Sequence, residues 1–335
     1  MNRDVTVIGD GAMAAVSCKI LSGNGLRVCL WSAFEDHARQ IRLTRRSRFL
    51  PELELDPAIR VTTDPAEAFA SAKMVVSAVP AQYARSVWEK LKPHCPAALP
   101  ICSVTKGIEN GTLLRPSQVI CDVLTGSPGG PWPLVALSGP CIAHEVARGL
   151  PATAVAACPD IALARQVQKA FTAPYFRVYT NADVIGVELA GATKNVIAIA
   201  AGVLDGLKAG DNAKAALLTR GLVEITRLGL ALGGRAETFS GLAGLGDLVT
   251  TCVSPHGRNR SLGQAIGQGQ NLQQAQTAIQ GVVEGVATTK SVLELARSQG
   301  VEMPIAKAVG DVLFANLSPR KAILELMSRP PKSES

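Results

Sequence analysis

Two hydrophobic patterns divide the sequence near residue 180. Before that point, short runs of consecutive apolar residues alternate with stretches that have the periodicity of an α-helix. Such runs between helices are typical of a parallel sheet that is covered on both faces. After that point only helical periodicity remains. The pattern predicts an α/β domain over residues 1–180, an all-helical domain over residues 181–329 and a disordered tail over residues 330–335.

The apolar runs and the helical periodicity place the individual elements. Strands are predicted at residues 3–8, 27–31, 59–62, 74–79, 99–104, 134–137, 153–157 and 176–179. Helices are predicted near residues 12–21, 65–72, 82–91 and 160–171, and then at 181–207, 212–232, 284–300, 305–316 and 319–327. The Gly- and Pro-rich segment 126–133 is expected to be a surface loop.

The predicted helix over residues 181–207 is apolar on nearly every side but has the pair Lys194 and Asn195 in its middle. Asn181 or Asp183 is expected to cap its N-terminus. Gly191 and Ala190 lie on the face of Lys194, one turn before it, and would leave room for a ligand. Burial would lower the pKa of the Lys194 amine. From these residues alone, a structural lysine paired with Glu188 or another carboxylate is an equal alternative.

The first predicted strand runs directly into the sequence Gly9-Asp-Gly11-Ala-Met-Ala14, which opens the first helix. In dinucleotide-binding βαβ units, the first glycine makes a tight turn and the second lets backbone amides approach a pyrophosphate. A small third residue, here Ala14, lets helix and strand pack closely. The first domain is therefore predicted to be a Rossmann-type dinucleotide-binding sheet.

The end of the second strand leaves the choice of dinucleotide open. An Asp or Glu usually binds the ribose hydroxyls of NAD at this point, but residues 31–34 read WSAF. Arg39 or Arg42 could contact the 2′-phosphate of NADP, and Glu35 could equally bind the ribose. The predicted cofactor is NAD or NADP.

Composition narrows the class of ligand. The net charge of +7 and the pI of about 9.1 suit anionic, phosphorylated small molecules, and they would also suit nucleic acid or anionic lipid. Aromatic residues make up only 4% of the chain, which offers few stacking platforms for single-stranded nucleic acid. The basic run at residues 39–48 is interpreted as a solvated helix face followed by a loop. No nucleic-acid partner and no metal site are predicted.

Cysteine usage and hydropathy bear on the compartment. Eight cysteines occur without a CxxC motif, as expected for small buried side chains in a reducing environment. No signal peptide precedes the first strand, and no apolar run approaches 18 uninterrupted residues. We therefore expect a cytoplasmic protein without membrane insertion.

Polar residues for catalysis follow several elements. Lys106 lies after the strand ending at residue 104, where open parallel sheets bind ligands, although an exposed loop lysine is the alternative. The glycine-rich segment 241–252 contains Asp247 and is expected to pack its backbone against a ligand. Arg258, Asn259 and Arg260 precede a helix expected to begin near Ser261 and could bind a phosphate, although Arg258 could be an ordinary surface residue.

The turn at residues 138–141 could hold an anion or a substrate oxygen, and Cys141 in it is interpreted as a packed thiol. None of the four histidines stands in a convincing catalytic position. If the dinucleotide transfers a hydride to a ketone, the ketone oxygen also needs a proton. Because no histidine is placed to supply that proton, we expect a lysine to do so. Lys106 close to Lys194 would lower the pKa of Lys194, and Asp247 would oppose that shift.

Several motifs together resemble bacterial NAD(P)-dependent glycerol-3-phosphate dehydrogenase, and the resemblance spans essentially the whole chain. They are VTKGI from residue 104, LSGP from 137, EVARGLP from 145, VELAGATKNV from 187, GLAGLGDL from 241 and SPHGRNR from 254. The resemblance implies interconversion of dihydroxyacetone phosphate and sn-glycerol 3-phosphate, which supplies phospholipid synthesis. It also implies a homodimer.

The resemblance implies a role for individual residues. Lys194 would exchange a proton with the C2 oxygen, and Lys106, Asn195 and Asp247 would line the reacting centre. Substrate would also contact Gly139, Cys141, Thr251, Gly257, Arg258 and Asn259. The cofactor would contact Gly9, Gly11, Ala12, Met13, Ala33, Lys106, Ala143, Arg258, Val282 and Glu284.

The chain departs from the family pattern at six positions. Residues 12–14 usually read serine, an aromatic residue and glycine, and position 33 is usually basic rather than Ala33. Cys141 and Gly257 replace hydroxyl residues. Two alternative functions are a related 3-hydroxyacid-type dehydrogenase, in which the lysine and asparagine are more widely spaced, and a non-catalytic dinucleotide-binding sensor.

Overall fold

The computed structural model describes residues 5–331 and residue 333. The first two residues of the predicted strand 3–8 and three residues of the predicted tail (332, 334 and 335) lie outside the described part. Within it, the eight predicted strands are all confirmed. They are β1 Val5–Ile8, β2 Val28–Trp31, β3 Arg60–Thr62, β4 Met74–Ser77, β5 Ile101–Ser103, β6 Leu134–Ser138, β7 Ala152–Ala157 and β8 Phe176–Asn181.

The strands form one sheet in the order β3-β2-β1-β4-β5-β6-β7-β8. Neighbouring strands are parallel except β6 and β7, which are antiparallel. The chain reverses its direction of travel across the sheet between β1 and β4, and a crevice for ligands lies beyond the carboxyl ends at such a point. This is the α/β, Rossmann-type arrangement expected from the apolar runs.

Helices cover both faces of the sheet. They are α1 Ala12–Gly23, α2 Glu35–Thr44, α3 Pro65–Phe69, α4 Ala84–Leu91, α5 Pro116–Thr125, α6 Ala143–Ala147 and α7 Ile161–Phe171. The sequence pattern missed α5, whose C-terminus is closed by Gly126 in the left-handed region at φ 79°. The segment that follows it, up to residue 133, is a loop as predicted.

The remainder of the described chain is helical. It contains α8 Val184–Leu207, α9 Asp211–Ala231, α10 Ala236–Ser240, α11 Asp247–Val253, α12 Arg258–Gly267, α13 Leu272–Thr277, α14 Glu284–Ser298, α15 Pro304–Phe314 and α16 Pro319–Met327. The sequence pattern did not predict α10, α11 or α13, and α12 begins at Arg258 rather than near Ser261. The division into two domains at residue 180 stays a prediction.

Helix α8 is the centre of this helical part. Of the two expected caps, Asp183 is the one used: its Oδ1 accepts a hydrogen bond from the Gly186 amide at 2.8 Å. Its Oδ2 accepts from the Arg235 amide at 2.8 Å and from the Thr238 hydroxyl at 2.7 Å. One carboxylate therefore fixes the start of α8 against α10.

Among the described residues, α8 has the length and mean hydropathy of a membrane span, although charged and polar residues interrupt it. However, 83% of its apolar window is buried inside the protein. Its apolar surface packs against α9, α11, α12 and α14. In this structure α8 is therefore a core helix.

Glycines bring α12 unusually close to α8. A Cβ added at Gly263 would lie 1.9 Å from the Ile199 carbonyl oxygen, and one at Gly202 would lie 1.9 Å from the Arg260 carbonyl oxygen. The two helices thus touch backbone to backbone. This contact places the first turn of α12 beside the middle of α8, where Lys194 and Asn195 lie.

Candidate active site

A cavity of about 980 Å³ lies between the carboxyl ends of the strands and the helical part. The sheet contributes the turn after β1 and the segments after β2, β4 and β5. The helical part contributes α8, α11, the start of α12 and the start of α14. Residues separated by more than 200 positions along the chain therefore face the same space.

Asp247 holds two lysines in this cavity. Its Oδ1 accepts a hydrogen bond from Lys194 Nζ at 2.5 Å, and its Oδ2 accepts one from Lys106 Nζ at 2.6 Å. Lys194 also donates to the Thr251 hydroxyl at 2.6 Å, and Lys106 donates to the Gly139 carbonyl at 3.1 Å. Asp247 is only 2% exposed and Lys194 5%. Two ammonium groups thus share one buried carboxylate.

The pKa values of the three groups follow from burial and charge. Burial lowers the pKa of Lys194, Asp247 opposes that shift and Lys106 adds to it, so that the pKa is lowered overall. Burial also disfavours charge on Lys106, but the attraction of Asp247 outweighs it and the pKa of Lys106 is raised. The two lysines keep the pKa of Asp247 low despite its burial. Lys194 is therefore the amine that gives up a proton more readily.

Glu188 does not pair with Lys194. Its carboxylate accepts hydrogen bonds from the Ser117 amide at 2.8 Å and from Arg115 Nη1 at 2.5 Å. The structural alternative with Glu188 is therefore wrong, and the carboxylate that contacts Lys194 is Asp247. The predicted open face at Gly191 is also filled, because a Cβ there would lie 2.8 Å from Ser138 Oγ and 3.6 Å from Lys106 Cγ.

Gly244 in the glycine-rich segment does not contact the cavity. Residues Leu242–Gly246 form a π-helical turn before α11. A Cβ at Gly244 would lie 2.1 Å from the Phe239 carbonyl oxygen, so this glycine permits close packing of the chain on itself. The expectation of backbone packed against a ligand is wrong here, and Asp247 lines the cavity through its side chain.

The first turn of α12 closes one end of the cavity. Gly257 occupies the N-cap position without a side-chain cap, which leaves the first amides of the helix open to an anion. Arg258 is exposed, lines the cavity and makes no hydrogen bond or ion pair with any described residue. Arg260, by contrast, donates to Asp205 Oδ2 at 2.6 Å and does not line the cavity, so the prediction that it binds phosphate is not supported.

Asn195 and Asn259 connect three helices. Asn259 Nδ2 donates to Asn195 Oδ1 at 2.9 Å, and Asn259 Oδ1 accepts from the Gly285 amide at 2.9 Å. Both asparagines are buried yet border the cavity. They fix the starts of α12 and α14 relative to α8.

The other end of the cavity carries the glycine turn. Gly9 adopts φ 113°, and a Cβ there would lie 2.7 Å from the Ala78 carbonyl oxygen, so only glycine fits. Gly11 caps α1 without a side chain and has open space around its Cβ position. The uncapped amides of α1 therefore face the cavity, and this geometry fits the diphosphate of a dinucleotide.

The residues that the family resemblance implies lie together with one exception. All of them line the cavity except Gly139, whose carbonyl accepts a hydrogen bond from Lys106. Arg39, Arg42 and Glu35 do not line it. Arg42 pairs with Glu35 instead, and Glu35 also accepts a hydrogen bond from Thr63 at 2.9 Å.

Sequence patterns missed several cavity residues. Asp10, His37, Arg48 and Phe49 border the end near the glycine turn. Glu52, His144 and His256 form a rim group elsewhere on the cavity, in which the two imidazole rings stack at 5.1 Å. Arg48 lies in a basic run that resembles a solvated helix face, so its contact with the cavity had no signal in the periodicity.

Comparison with known proteins decides the family. The family model described as NAD-dependent glycerol-3-phosphate dehydrogenase N-terminus matches residues 4–164, and the corresponding C-terminus model matches residues 183–324. The chain belongs to the NAD-dependent glycerol-3-phosphate dehydrogenase family. The two matches together cover most of the chain.

Individual members of this glycerol-3-phosphate dehydrogenase family are similar to the chain over nearly their full length. The chain is 47% identical over 332 residues to glycerol-3-phosphate dehydrogenase [NAD(P)+] 1 from Salinibacter ruber, covering 99% of the chain and 97% of the relative. It is similar to the crystal structure of glycerol-3-phosphate dehydrogenase from Coxiella burnetii, with 36% identity, a TM-score of 0.93 and coverage of 98% and 99%. The yeast enzyme from Saccharomyces cerevisiae has 27% identity and a TM-score of 0.79, with coverage of 96% and 98%.

Proposed function

We propose that this chain is an oxidoreductase that interconverts sn-glycerol 3-phosphate and dihydroxyacetone phosphate with NAD or NADP as cofactor. Family membership over nearly the whole chain carries this conclusion. The arrangement of one cavity supports it, because the cavity joins a dinucleotide turn, a buried lysine pair and an unpaired arginine. The cofactor, when bound, supplies or accepts the hydride.

Lys194 exchanges the proton that accompanies the hydride. Its ammonium group donates to the developing alkoxide at C2 during reduction, and its neutral amine accepts the hydroxyl proton during oxidation. The lowered pKa of Lys194 supports this role because an amine with an ordinary pKa holds its proton too tightly near neutral pH. Its bonds to Asp247 and Thr251 orient Nζ.

Lys106 and Asp247 set the charge around Lys194. Lys106 keeps its proton, stabilises negative charge on the substrate oxygen and lowers the pKa of Lys194. Asp247 compensates one of the two positive charges and positions both amines. Asn195 lies next to Lys194 in the chain and lines the reacting centre.

The substrate phosphate binds at the first turn of α12. Arg258 supplies a forked pair of donors, and the amides that follow Gly257 face the same space. Asn259 holds this turn against α8. The remaining residues proposed to contact substrate are Cys141 and Thr251, while Gly139 supports Lys106 through its carbonyl.

The cofactor binds across the ends of β1, β2 and β4. The open amides of α1 would hold its diphosphate, because Gly9 and Gly11 permit close approach to the backbone. Further residues proposed to contact it are Ala12, Met13, Ala33, Lys106, Ala143, Arg258, Val282 and Glu284.

The assembly and location follow from the family resemblance. We infer a homodimer in the cytoplasm, where the enzyme supplies glycerol 3-phosphate for phospholipid synthesis. Eight free cysteines, six of them buried, suit a reducing compartment. Size-exclusion chromatography with light scattering tests the dimer.

An initial-rate assay tests the proposed function. Purified protein is incubated with NADH or NADPH and with dihydroxyacetone phosphate or a panel of 2- and 3-oxoacids. We expect oxidation of the cofactor with dihydroxyacetone phosphate and none above background with the oxoacids. Turnover of an oxoacid instead would support the hydroxyacid-dehydrogenase alternative. Nucleotide binding without any turnover would support the sensor.

A further inference from the structure

Asp10, the residue between the two glycines of the turn after β1, has a fixed carboxylate in the cavity. Its Oδ2 accepts a hydrogen bond from Ser32 Oγ at 2.5 Å, and His37 Nδ1 lies 2.9 Å from the same oxygen. Its backbone carbonyl accepts a hydrogen bond from the Ser47 hydroxyl at 2.6 Å. Both the backbone and the side chain of Asp10 are therefore held in place.

The carboxylate lies where dinucleotide-binding sheets need an acid. In such sheets an Asp or Glu at the carboxyl end of β2 binds the hydroxyls of the adenosine ribose. Here Ser32 directly follows β2, and no acid follows it before Glu35, which does not line the cavity. Because Asp10 bonds to the Ser32 side chain, its carboxylate reaches the end of β2 from the neighbouring strand.

One oxygen of this carboxylate is available to a ligand. Both side-chain contacts of Asp10 use Oδ2, and Oδ1 accepts no hydrogen bond from any residue of the described chain. The Asp10 side chain is 15% exposed and lines the cavity. A fixed carboxylate oxygen accepts a hydrogen bond from a hydroxyl group and repels a phosphate dianion.

We propose that Asp10 binds the 2′-hydroxyl of the adenosine ribose and makes this enzyme prefer NAD(H) to NADP(H). The inference rests on the proposed function, and it assigns the choice of cofactor to this chain's own residues. Ser32 and His37 act as positioning residues that hold the carboxylate. Asp10 supplies from β1 the acid that is missing after β2.

The cations near Asp10 do not compensate the repulsion between its carboxylate and a 2′-phosphate. His37 is already engaged with Asp10 and lies 3.6 Å from Asp36. Arg48 lines the same end of the cavity, but its guanidinium lies over the Phe49 ring at 4.9 Å from the ring centre. Position 33 is Ala33, which has no charge. Lys90 also lines the cavity, and its ammonium lies over the Trp31 ring at 5.4 Å from the ring centre. A 2′-phosphate would therefore meet a fixed anion, and this arginine and this lysine are each already stacked on a ring.

Equilibrium binding tests the proposal without turnover. The dissociation constants of NADH, NADPH and NADH lacking the adenosine 2′-hydroxyl are measured from nicotinamide fluorescence, for wild type and for Asp10→Asn. We expect wild type to bind NADH roughly tenfold or more tightly than either analogue, as a hydrogen bond to a charged group allows. In Asp10→Asn the preference over both analogues should fall to within about threefold.

Asp36→Asn is the matched control. Asp36 lies on α2 next to His37 and, like Asp10, contacts the His37 ring. Its side chain, however, is 76% exposed and does not line the cavity. This variant should keep the wild-type preference. Thermal unfolding of each variant establishes that it is folded. If Asp10→Asn does not fold, the affinities of wild type for the three nucleotides still test the proposal.

Three results would overturn the proposal: tighter binding of NADPH than NADH by wild type, no loss of wild-type affinity when the 2′-hydroxyl is removed, or an unchanged preference in folded Asp10→Asn. An enzyme that reduces dihydroxyacetone phosphate but prefers NADPH would refute the role of Asp10 and leave the proposed function intact. Failure to bind any of the three nucleotides would refute both.

Discussion

Replacing Asp247 with Asn tests the charge balance of the buried cluster. Asp247 accepts hydrogen bonds from Lys194 at 2.5 Å and from Lys106 at 2.6 Å, and it is 2% exposed. The amide keeps the shape but removes the negative charge, which leaves two buried ammonium groups without a counter-charge. Breaking a buried ion pair in this way costs about 3 kcal/mol or more of unfolding free energy. We expect a destabilisation of that size near neutral pH.

The destabilisation should depend on pH. Burial and Lys106 lower the pKa of Lys194, and Asp247 is the main group that opposes them, so the variant lowers this pKa further. The unfolded chain, with an ordinary lysine pKa of 10.5, then holds this proton more tightly than the folded protein. Stability of the variant therefore rises as the pH rises toward 10.5. The loss of unfolding free energy in Asp247→Asn relative to wild type should be larger at about pH 6 than at about pH 9.

Urea unfolding of wild type, Asp247→Asn and Asp311→Asn measures this effect. Asp311 accepts a hydrogen bond from Lys307 at 2.6 Å, but on the surface, where these side chains are 32% and 72% exposed. The control should lose less than about 0.5 kcal/mol, without a pH trend. If Asp247→Asn is no less stable than the control across that pH range, the account of a shared buried counter-charge is refuted.

Two further predictions concern stability outside the cluster. Burial raises the pKa of Glu224 to about 7, although its carboxylate accepts hydrogen bonds from the first amides of α15 at 2.8 and 3.2 Å. The folded protein then holds this proton where the unfolded chain has lost it, so the stability of wild type relative to Glu224→Gln should fall by up to about 3 kcal/mol between about pH 4.5 and pH 7. Urea unfolding at four pH values checks this, and parallel curves would contradict it. Gly263→Ala should separate α12 from α8 and cost at least about 1–3 kcal/mol, because its Cβ would lie 1.9 Å from the Ile199 carbonyl oxygen. Gly23→Ala in α1 is the control, because a Cβ at Gly23 would have nothing within 4 Å, and it should leave stability unchanged. Thermal unfolding of both variants measures the difference, and equal effects would refute the packing argument.

The sheet was predictable because its signals are local. Apolar runs mark all eight strands, and the glycine turn directly after β1 identifies the dinucleotide fold. Lys194 was recognisable because a charged residue interrupts an otherwise apolar helix. Each of these signals lies within a few consecutive residues.

The partners of these residues were not predictable from local pattern. Lys194 and Asp247 are 53 positions apart, and Glu188 was the nearer carboxylate in sequence. Only the packing of α11 and α8 decides which carboxylate reaches the amine. The same holds for Asp10, whose role depends on Ser32 and His37 across the sheet.

Glycines were the least certain signal. Those at 202 and 263 permit two helices to touch, the one at 244 fits against Phe239, and Gly9 in the first turn combines a glycine requirement with an open cavity. A glycine in the sequence therefore does not tell whether a ligand, a neighbouring backbone or neither lies close to it. Close approach of a ligand and close approach of a neighbouring backbone both require glycine, so the sequence does not distinguish them.

The most direct test of the central claim is the turnover of Lys194→Ala with dihydroxyacetone phosphate, measured alongside its affinity for NADH. If Lys194 supplies the proton, turnover should fall by at least about a thousandfold, the range of a lost general acid, while the dissociation constant of NADH stays within about twofold of the wild-type value, well below the effect of one lost hydrogen bond. Near-normal turnover in this variant would contradict the assignment of Lys194 as the proton donor.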